Sequence, residues 1–249
     1  RQGLKDQRIF EIGRTFKARE PAADEDERDR DLPEEDLRVA ILVAGGRFGG
    51  GWYQGDAQVD FFDLAGIVEA LVESFDCSER LIKQPAEQAG FNPHACAELR
   101  IGSAKLGVMG AVHPDLAGTY GLAESVFVAE ISLRELEHAK KRQVLFKSLP
   151  KFPGTRRDLA VIASKDLTSD SLCQFLKKNA GGQLGQDVVE EVQLFDIYEG
   201  KPIPKGSVSL GFAIFYRSRE RTLTDEEVGP AFEAVLEMVK SEFSVEIRS

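Results

Sequence analysis

The C-terminal part of the chain carries the feature that most constrains its fold, an ordered alternation between the period of a strand and the period of a helix. Four segments place apolar residues at every second position, as a strand with one buried face does. These segments are residues 157–163, 188–198, 207–216 and 244–248. Two segments between them have apolar residues three and four apart, the spacing of an amphipathic helix. They are residues 168–182 and 224–239.

The order of these segments, βαββαβ, predicts a ferredoxin-like sandwich in which two helices cover one face of a four-stranded antiparallel sheet. Thr168 is placed to cap the first helix, and Thr224 with Glu227 three residues later is the capping-box pattern at the start of the second. Pro230 conflicts with an uninterrupted second helix, because proline lacks the amide hydrogen that an interior helical position needs. We therefore expect a kink or a later start of that helix.

A break in the periodic pattern separates this region from the rest of the chain. Residues 146–160, FKSLPKFPGTRRDLA, contain two prolines, a glycine and four basic residues. A linker is therefore predicted at residues 146–154, which divides the chain into residues 1–145 and 146–249. The first part has strand-like segments at residues 8–16, 37–45 and 126–133, a predicted hairpin at residues 97–114 and one amphipathic helix at residues 59–75. The whole chain is expected to be α+β, mostly antiparallel sheet with helices packed against it.

Composition limits the environment of the chain. The formal net charge is −10, and much of the excess acid lies in residues 20–36, EPAADEDERDRDLPEED, which cannot bury a core and predict a solvated, mobile loop. Three widely spaced cysteines without a CxxC pair argue against a disulfide framework or a zinc site and fit a reducing cytoplasm. No apolar stretch approaches about eighteen residues and no signal peptide is evident, so neither a membrane span nor export is expected. The missing initiator Met predicts a piece of something longer.

The sequence offers no catalytic constellation. Its three histidines, His94, His113 and His138, lie in no HExxH or HxH pattern, and no GxSxG motif occurs. The glycine-rich GGRFGGG at residues 45–51 lacks the Lys-Ser/Thr of a phosphate-binding loop, so a turn beside a sheet is favoured.

Asp196 and Tyr198 in the stretch LFDIYEGKPIPKG, residues 194–206, have two interpretations that spacing leaves open. Residues two apart on a strand share one face of the sheet. In the first interpretation Tyr198 covers a core and Asp196 starts the turn. In the second, the ring stacks on an unpaired base and the carboxylate accepts a hydrogen bond from the edge of that base.

Six motifs occur in a fixed order along the chain: RIFEIGRTF, VDFFDLAG, GVMGAVHP, FPGTRRDLA, LFDIYEG and RTLTDEEV. In order and spacing they resemble the C-terminal part of the bacterial phenylalanyl-tRNA synthetase β subunit, and the resemblance spans nearly the whole chain. The chain departs from the family pattern at Ala65, Ala111 and residues 92–95, where the family usually has Lys, Glu and His-Pro-Gly-Arg. These departures concern local contacts.

The resemblance implies that residues 1–145 form a class II synthetase-like catalytic fold that has lost its activity. Such a region packs against the catalytic α subunit in an assembly of two α and two β subunits. An adenylating site needs arginines that neutralise ATP phosphates, whereas here an acid-rich loop follows FEIG and no GxGxxxR motif is present. The chain alone is therefore expected to be inactive and to bind no cofactor, with ATP and Mg expected in the complete enzyme. The family's editing site would lie upstream of residue 1.

The resemblance also implies that residues 146–249 form the ferredoxin-fold anticodon-binding domain, which grips the anticodon stem-loop of tRNA-Phe. The positions that match the family's base contacts are Asp196, Tyr198 and Ser209. Candidates for phosphate contacts are the basic residues Arg156, Arg157, Lys201, Lys205, Arg217, Arg219 and Arg221. The alternative is a protein-interaction module whose βαββαβ part packs on another chain and binds no RNA. A stand-alone ligand-sensing domain of the same shape is disfavoured, because LFDIYEG and RTLTDEEV are not its signatures.

Overall fold

The computed structural model describes residues 6–18, 32–48, 55, 57–122, 125–143, 146 and 148–248. Residues 20–31, which make up most of the predicted acidic loop, lie outside the described residues. The chain divides into two compact units, Arg1–Leu145 and Phe146–Ser249, which we call the N-terminal and C-terminal units.

The N-terminal unit is built on an antiparallel sheet. Its strands are β1 (Gln7–Lys17), β2 (Glu34–Ala44), β3 (Leu81–Pro85), β4 (Phe91–Ile101), β5 (Ala104–Val112) and β6 (Val126–Ser132), and its helices are α1 (Phe61–Ser74), α2 (Pro114–Thr119) and α3 (Leu133–His138). The spatial order of the six strands is β1-β2-β6-β5-β4-β3. The predicted strands and helix are confirmed. The sequence did not predict β3, α2 or α3, because each is too short to give a periodic signal.

One face of this sheet packs against α1 and α3 and forms the core of the N-terminal unit. On β2, the alternate residues Val39, Ile41 and Val43 are buried. They join Leu64 and Val68 of α1 in one apolar cluster. The helical spacing of the α1 sequence is therefore explained by a buried stripe that meets the buried face of the sheet.

The C-terminal unit has the βαββαβ order that the sequence predicts. Its elements are β7 (Thr155–Ser164), α4 (Ser169–Asn179), β8 (Val189–Tyr198), β9 (Ser207–Tyr216), α5 (Asp225–Phe243) and β10 (Glu246–Arg248). The four strands are antiparallel in the order β10-β7-β9-β8. The ferredoxin-like fold is therefore confirmed.

Alternate residues of β9 point to the two opposite faces of this sheet. Its residues that pack with the helices are almost completely buried: Leu210, Phe212, Ile214 and Tyr216. They form one core cluster with Leu172 of α4 and Val228 of α5. The other alternate residues point away from this cluster: Ser209, Gly211, Ala213 and Phe215. We call the side of the sheet that carries these four residues the open face. It also includes the residues of β7 and β8 that pair with them.

The helix α5 begins at Asp225, directly after Thr224, so the predicted later start is wrong, and Pro230 lies inside the helix. The first turn is held by the Glu227 carboxylate, which accepts hydrogen bonds from the Thr224 backbone N–H at 3.0 Å and from its hydroxyl at 3.1 Å. Arg221 donates two more to the same carboxylate, at 2.7 and 2.6 Å. These bonds stabilise the start of the helix and offset the unfavourable proline further on.

The Glu227 carboxylate should make the stability of the C-terminal unit sensitive to acid. Hydrogen bonds from Arg221 and from the Thr224 backbone lower the pKa of Glu227 from 4.5 to about 2. A lowered folded-state pKa adds stability above the unfolded-state value, and that stability is lost as the pH falls through the folded-state value. We expect Glu227→Gln to lower the urea midpoint at neutral pH, and its difference from the wild-type chain to shrink between pH 4.5 and about pH 2. The matched control is Glu226→Gln at the next, exposed position, and a difference that stays constant with pH would contradict the prediction.

Candidate nucleic-acid interface

The pairing of β8 with β9 decides which face of the sheet carries Asp196 and Tyr198. Tyr198 lies opposite Ser209, and Asp196 lies opposite Gly211. Partners directly opposite in an antiparallel pair have their side chains on the same face. Asp196 and Tyr198 therefore share one face, as their spacing predicts, and it is the open face.

An irregularity in β8 is responsible for this orientation. Leu194 pairs with Phe212 on the helix-covered face, and the next pair is Asp196 with Gly211, so Phe195 is an extra residue on its strand. Such a β-bulge shifts the alternation by one position. Without it, both predicted base-contacting side chains of β8 would point toward the helices.

The hydroxyl of Tyr198 is hydrogen-bonded within the protein, whereas its ring is partly exposed. The side chain is 40% exposed, and its hydroxyl donates a hydrogen bond of 2.8 Å to the backbone carbonyl of Lys201. A Cβ added at Gly200 would lie 3.1 Å from the same hydroxyl, so the phenol packs closely on the turn. The ring therefore anchors the turn between β8 and β9 and is already ordered, which lowers the entropy cost of a contact with a ligand.

The other two predicted base contacts differ in accessibility. Asp196 is exposed, and its carboxylate has no hydrogen bond or ion pair with any residue that the structure describes. Ser209, on the central strand, is only 3% exposed. A hydrogen-bond acceptor is thus available at Asp196, whereas Ser209 becomes reachable only when neighbouring side chains move.

Four of the predicted phosphate-contacting residues already pair with carboxylates. The pairs are Arg156 with Asp158 (2.6 Å), Arg157 with Asp225 (2.5 Å), Arg217 with Glu190 (2.8 Å) and Arg221 with Glu227 (2.6 Å). Arg157 also lies opposite Ile214, so it is on the helix-covered face and not on the open face. These arginines have structural partners that a bound phosphate would have to replace.

The remaining three, Lys201, Lys205 and Arg219, are exposed and have no carboxylate partner within the described ranges. The two lysines lie in the turn that joins β8 and β9, whereas Arg219 follows the opposite end of β9. The basic side chains are therefore distributed over both ends of the sheet and do not form one patch. That they bind phosphates stays a prediction.

Two aromatic residues of the open face were missed by sequence reasoning. Phe195 is 51% exposed, and Phe215 is half-buried. The Arg156 guanidinium carbon lies over both rings, 5.1 Å from the Phe195 centroid and 5.8 Å from the Phe215 centroid. The available signal was the apolar pair Leu194-Phe195, since two consecutive apolar residues in an alternating strand indicate a bulge.

Charged side chains on the second face of the N-terminal sheet neutralise one another. Two clusters do so, Arg38 with Asp36 (2.8 Å) and Glu130 (2.7 Å), and Glu98 with Arg100 (2.8 Å) and Lys105 (2.7 Å). Hydrogen bonds from Lys105 and Arg100 lower the pKa of Glu98. Because its cations already face carboxylates, this surface is poorly suited to neutralising ATP phosphates.

Two further findings bear on the class of protein. Within the described ranges, no group of three or more His, Cys, Asp and Glu side chains is placed to hold a metal ion. Of the helices that the structure describes, none is both long and apolar enough to cross a membrane.

Comparison with known proteins gives matches to both units. The family model described as the phenylalanyl tRNA synthetase beta chain CLM domain matches residues 1–133. The family model described as the ferredoxin-fold anticodon binding domain matches residues 150–248. The second match coincides with the unit whose open face carries Asp196 and Tyr198.

Curated relatives match along the whole chain. The phenylalanine–tRNA ligase beta subunit of Fusobacterium nucleatum is 33% identical over 244 residues, which cover 98% of this chain and 29% of that protein. The beta subunit of Symbiobacterium thermophilum is 32% identical over 246 residues, which cover 99% of this chain and 26% of that protein. The chain thus spans less than a third of the length of these relatives. These matches, with the sheet orders described above, show that the chain belongs to the phenylalanyl-tRNA synthetase β-chain family.

Proposed function

We propose that this chain is the tRNA-binding and α-subunit-scaffolding part of phenylalanine–tRNA ligase, the class II aminoacyl-tRNA synthetase that joins phenylalanine to tRNA-Phe using ATP. The observation that carries the proposal is the match of residues 150–248 to an anticodon-binding family on the unit whose open face presents Tyr198 and Asp196. Anticodon bases are unpaired, so a protein can stack on their faces and bond to their edges. In this proposal Tyr198 is the stacking surface, Asp196 accepts a hydrogen bond from a base edge, and Ser209 joins them once the side chains beside it move.

Phosphate contacts are assigned first to Lys201, Lys205 and Arg219. These side chains are exposed and carry no carboxylate partner among the residues described, so a phosphate meets an available positive charge. The paired arginines, Arg156, Arg157, Arg217 and Arg221, contribute only where a phosphate replaces their carboxylate. Phosphate binding is therefore expected to be strongest beside the turn after β8 and just beyond the end of β9.

The N-terminal unit is proposed to pack against the α subunit in a heterotetramer of two α and two β subunits. An apolar groove of about 440 Å³ between β1, β2 and α1 supports this role. Several of its side chains are exposed, among them Phe10 at 72%, Ile12 at 55% and Ile67 at 38%. A contiguous apolar surface of this kind marks a protein–protein contact.

The ATP-dependent chemistry is proposed to take place on the α subunit, in the cytoplasm. In this proposal the N-terminal unit binds neither ATP nor Mg, because the cations of its two charged clusters, Arg38, Arg100 and Lys105, are already paired with carboxylates. This unit is therefore assigned a scaffolding role, and residues 146–249 the recognition of tRNA.

A second candidate function is a protein-interaction module in which the C-terminal unit packs on another chain and binds no RNA. The exposed apolar side chains of β8, Phe195 at 51% and Ile197 at 60%, favour it. The salt dependence of tRNA binding separates the two functions, since RNA binding releases counterions and a largely apolar protein contact does not.

Replacing Tyr198 by Ala should weaken tRNA-Phe binding by roughly 5- to 150-fold, because stacking one base on an aromatic ring contributes about 1–3 kcal/mol. The slope of log K against log salt should hardly change, since no phosphate contact is lost. Lys205→Ala should instead weaken binding of any tRNA and reduce that slope by about one unit. The measurement is a titration of the complete ligase with tRNA-Phe and an anticodon-swapped variant at several salt concentrations.

The matched control for this experiment is Tyr198→Phe, which keeps the ring and removes the hydroxyl that bonds to Lys201. Binding close to wild type by Tyr198→Phe, with a loss in Tyr198→Ala, is the expected pattern for stacking. If Tyr198→Ala binds both tRNAs as the wild type does while its fold is intact, the assigned recognition surface is wrong. If the wild-type ligase shows no salt-dependent tRNA binding, the proposed function itself is wrong.

A further inference from the structure

The bulge in β8 leaves Phe195 on the same face as Asp196 and Tyr198, the open face. The register passes from Leu194 opposite Phe212 to Asp196 opposite Gly211, which leaves Phe195 without a cross-strand partner. A Cβ added at Gly211 would lie 3.2 Å from Phe195 Cζ and 3.1 Å from Asp196 Cβ. The Phe195 ring therefore lies over Gly211 on the open face, and the missing side chain of Gly211 is what gives the ring room.

Arg156 supports the Phe195 ring from β7. It lies opposite Phe215, and its guanidinium is held by two hydrogen bonds to Asp158, at 2.6 and 3.2 Å. In this position its Cζ is 5.1 Å from the Phe195 centroid and 5.8 Å from the Phe215 centroid. A planar cation beside an aromatic ring stabilises the ring by cation–π attraction and offers a second flat surface.

Solvent still reaches this group. Phe195 is 51% exposed, and the Arg156 side chain is 48% exposed. A ring whose only task was to cover Gly211 would gain from complete burial, because each part of its apolar surface left in water forgoes stabilisation. The remaining exposed ring surface is available for another flat group.

The spacing along the sheet relates this group to Tyr198. Tyr198 lies opposite Ser209, and the Phe195 ring lies over Gly211, two residues further along β9. Two residues of a strand span roughly 7 Å. Single-stranded RNA binds such surfaces by stacking successive bases on successive aromatic side chains.

We propose that Phe195, backed by Arg156, is a second base-stacking position on the open face, and that it takes the unpaired nucleotide next to the one stacked on Tyr198. This inference rests on the proposed function, because it needs the open face to bind an anticodon loop. It adds a recognition residue that lies outside the predicted set of Asp196, Tyr198 and Ser209. The bulge then serves recognition by bringing Asp196 to the face that carries the Phe195 ring, so that the carboxylate and the ring lie side by side.

The experiment uses the complete ligase with substitutions at Phe195 in its β subunit and measures affinity for tRNA-Phe. Phe195→Ala should weaken binding by roughly 5- to 150-fold, and Phe195→Leu should resemble it, because a leucine side chain has no flat π surface. Phe195→Tyr should bind like the wild type, because the ring is kept. The matched control is Ile197→Ala, which removes a side chain that is 60% exposed on the same strand but opposite Leu210, on the other face.

A positional readout comes from tRNA-Phe transcripts that carry 2-aminopurine at one anticodon position at a time. Stacking quenches the emission of this base, so Phe195→Ala should raise the emission at one position and Tyr198→Ala at a neighbouring one. If Tyr198→Ala weakens binding while Phe195→Ala binds and quenches as the wild type does, the second stacking position is wrong and the proposed function stands. The second stacking position is also wrong if both substitutions change the emission of the same nucleotide, or if Phe195→Leu binds as the wild type does. If the wild-type ligase fails to bind tRNA-Phe, the proposed function is wrong, and the second stacking position is wrong with it.

Discussion

Replacing Phe212 by Ala is expected to lower the free energy of unfolding of the C-terminal unit by about 3–5 kcal/mol, the usual cost of deleting a buried phenyl ring. Phe212 is 0% exposed and lies in the middle of the central strand, between Leu159 of β7 and Leu194 of β8. The loss combines the transfer energy of the ring with the cavity that it leaves, because the sheet holds the surrounding side chains in place.

Hydrogen exchange followed peptide by peptide is the appropriate measurement, because it reports the opening of each unit separately. Protection should fall across β7 to β10 and stay unchanged in the peptides of the N-terminal unit. The matched control is Phe146→Ala, which removes the same side chain at a position that is 94% exposed, and it should leave protection as it is. A loss below about 1 kcal/mol for Phe212→Ala would show that the core of the C-terminal unit is not packed as described.

Replacing Gly107 by Ala is expected to destabilise the N-terminal unit by about 3 kcal/mol, at the upper end of the range for overpacking. Gly107 lies on β5 between Leu99 of β4 and Ile131 of β6. A Cβ added there would overlap the backbone carbonyl of Glu130. Because the obstacle is backbone in the middle of a sheet, and not the end of a flexible side chain, the strands themselves would have to move apart.

The matched control for this substitution is Gly13→Ala on β1. An added Cβ at Gly13 meets nothing within 4 Å, and the new side chain restricts the unfolded chain, so stability should be unchanged or higher by up to about 1 kcal/mol. Thermal unfolding of the two variants, followed by circular dichroism, checks the pair. Equal midpoints would contradict the close approach of β5 and β6.

The availability of Arg157 and Arg217 depended on contacts that no local pattern contains. Seven basic residues of the C-terminal unit were candidates for phosphate contacts on the family resemblance and their charge. The structure separates them, because Arg157 pairs with Asp225, 68 positions away, and Arg217 with Glu190, 27 positions away. Long-range ion pairs of this kind follow from how the strands are ordered, so the sequence distinguished neither the paired residues nor the unpaired ones.

The sequence by itself determined the order of elements in the C-terminal unit, the capping pair at the start of α5 and the family, since periodicity, caps and motifs are properties of neighbouring residues. It also determined that Asp196 and Tyr198 share a face, because strand parity is local. Only the tertiary structure decided which face that is. A bulge is a property of two paired strands, and the extra residue Phe195 reverses the parity after Leu194 and turns both side chains from the core to the open face. Strict alternation after Leu194 would have left Phe195 on the open face and turned Asp196 and Tyr198 toward the helices, whereas the bulge brings all three to the open face.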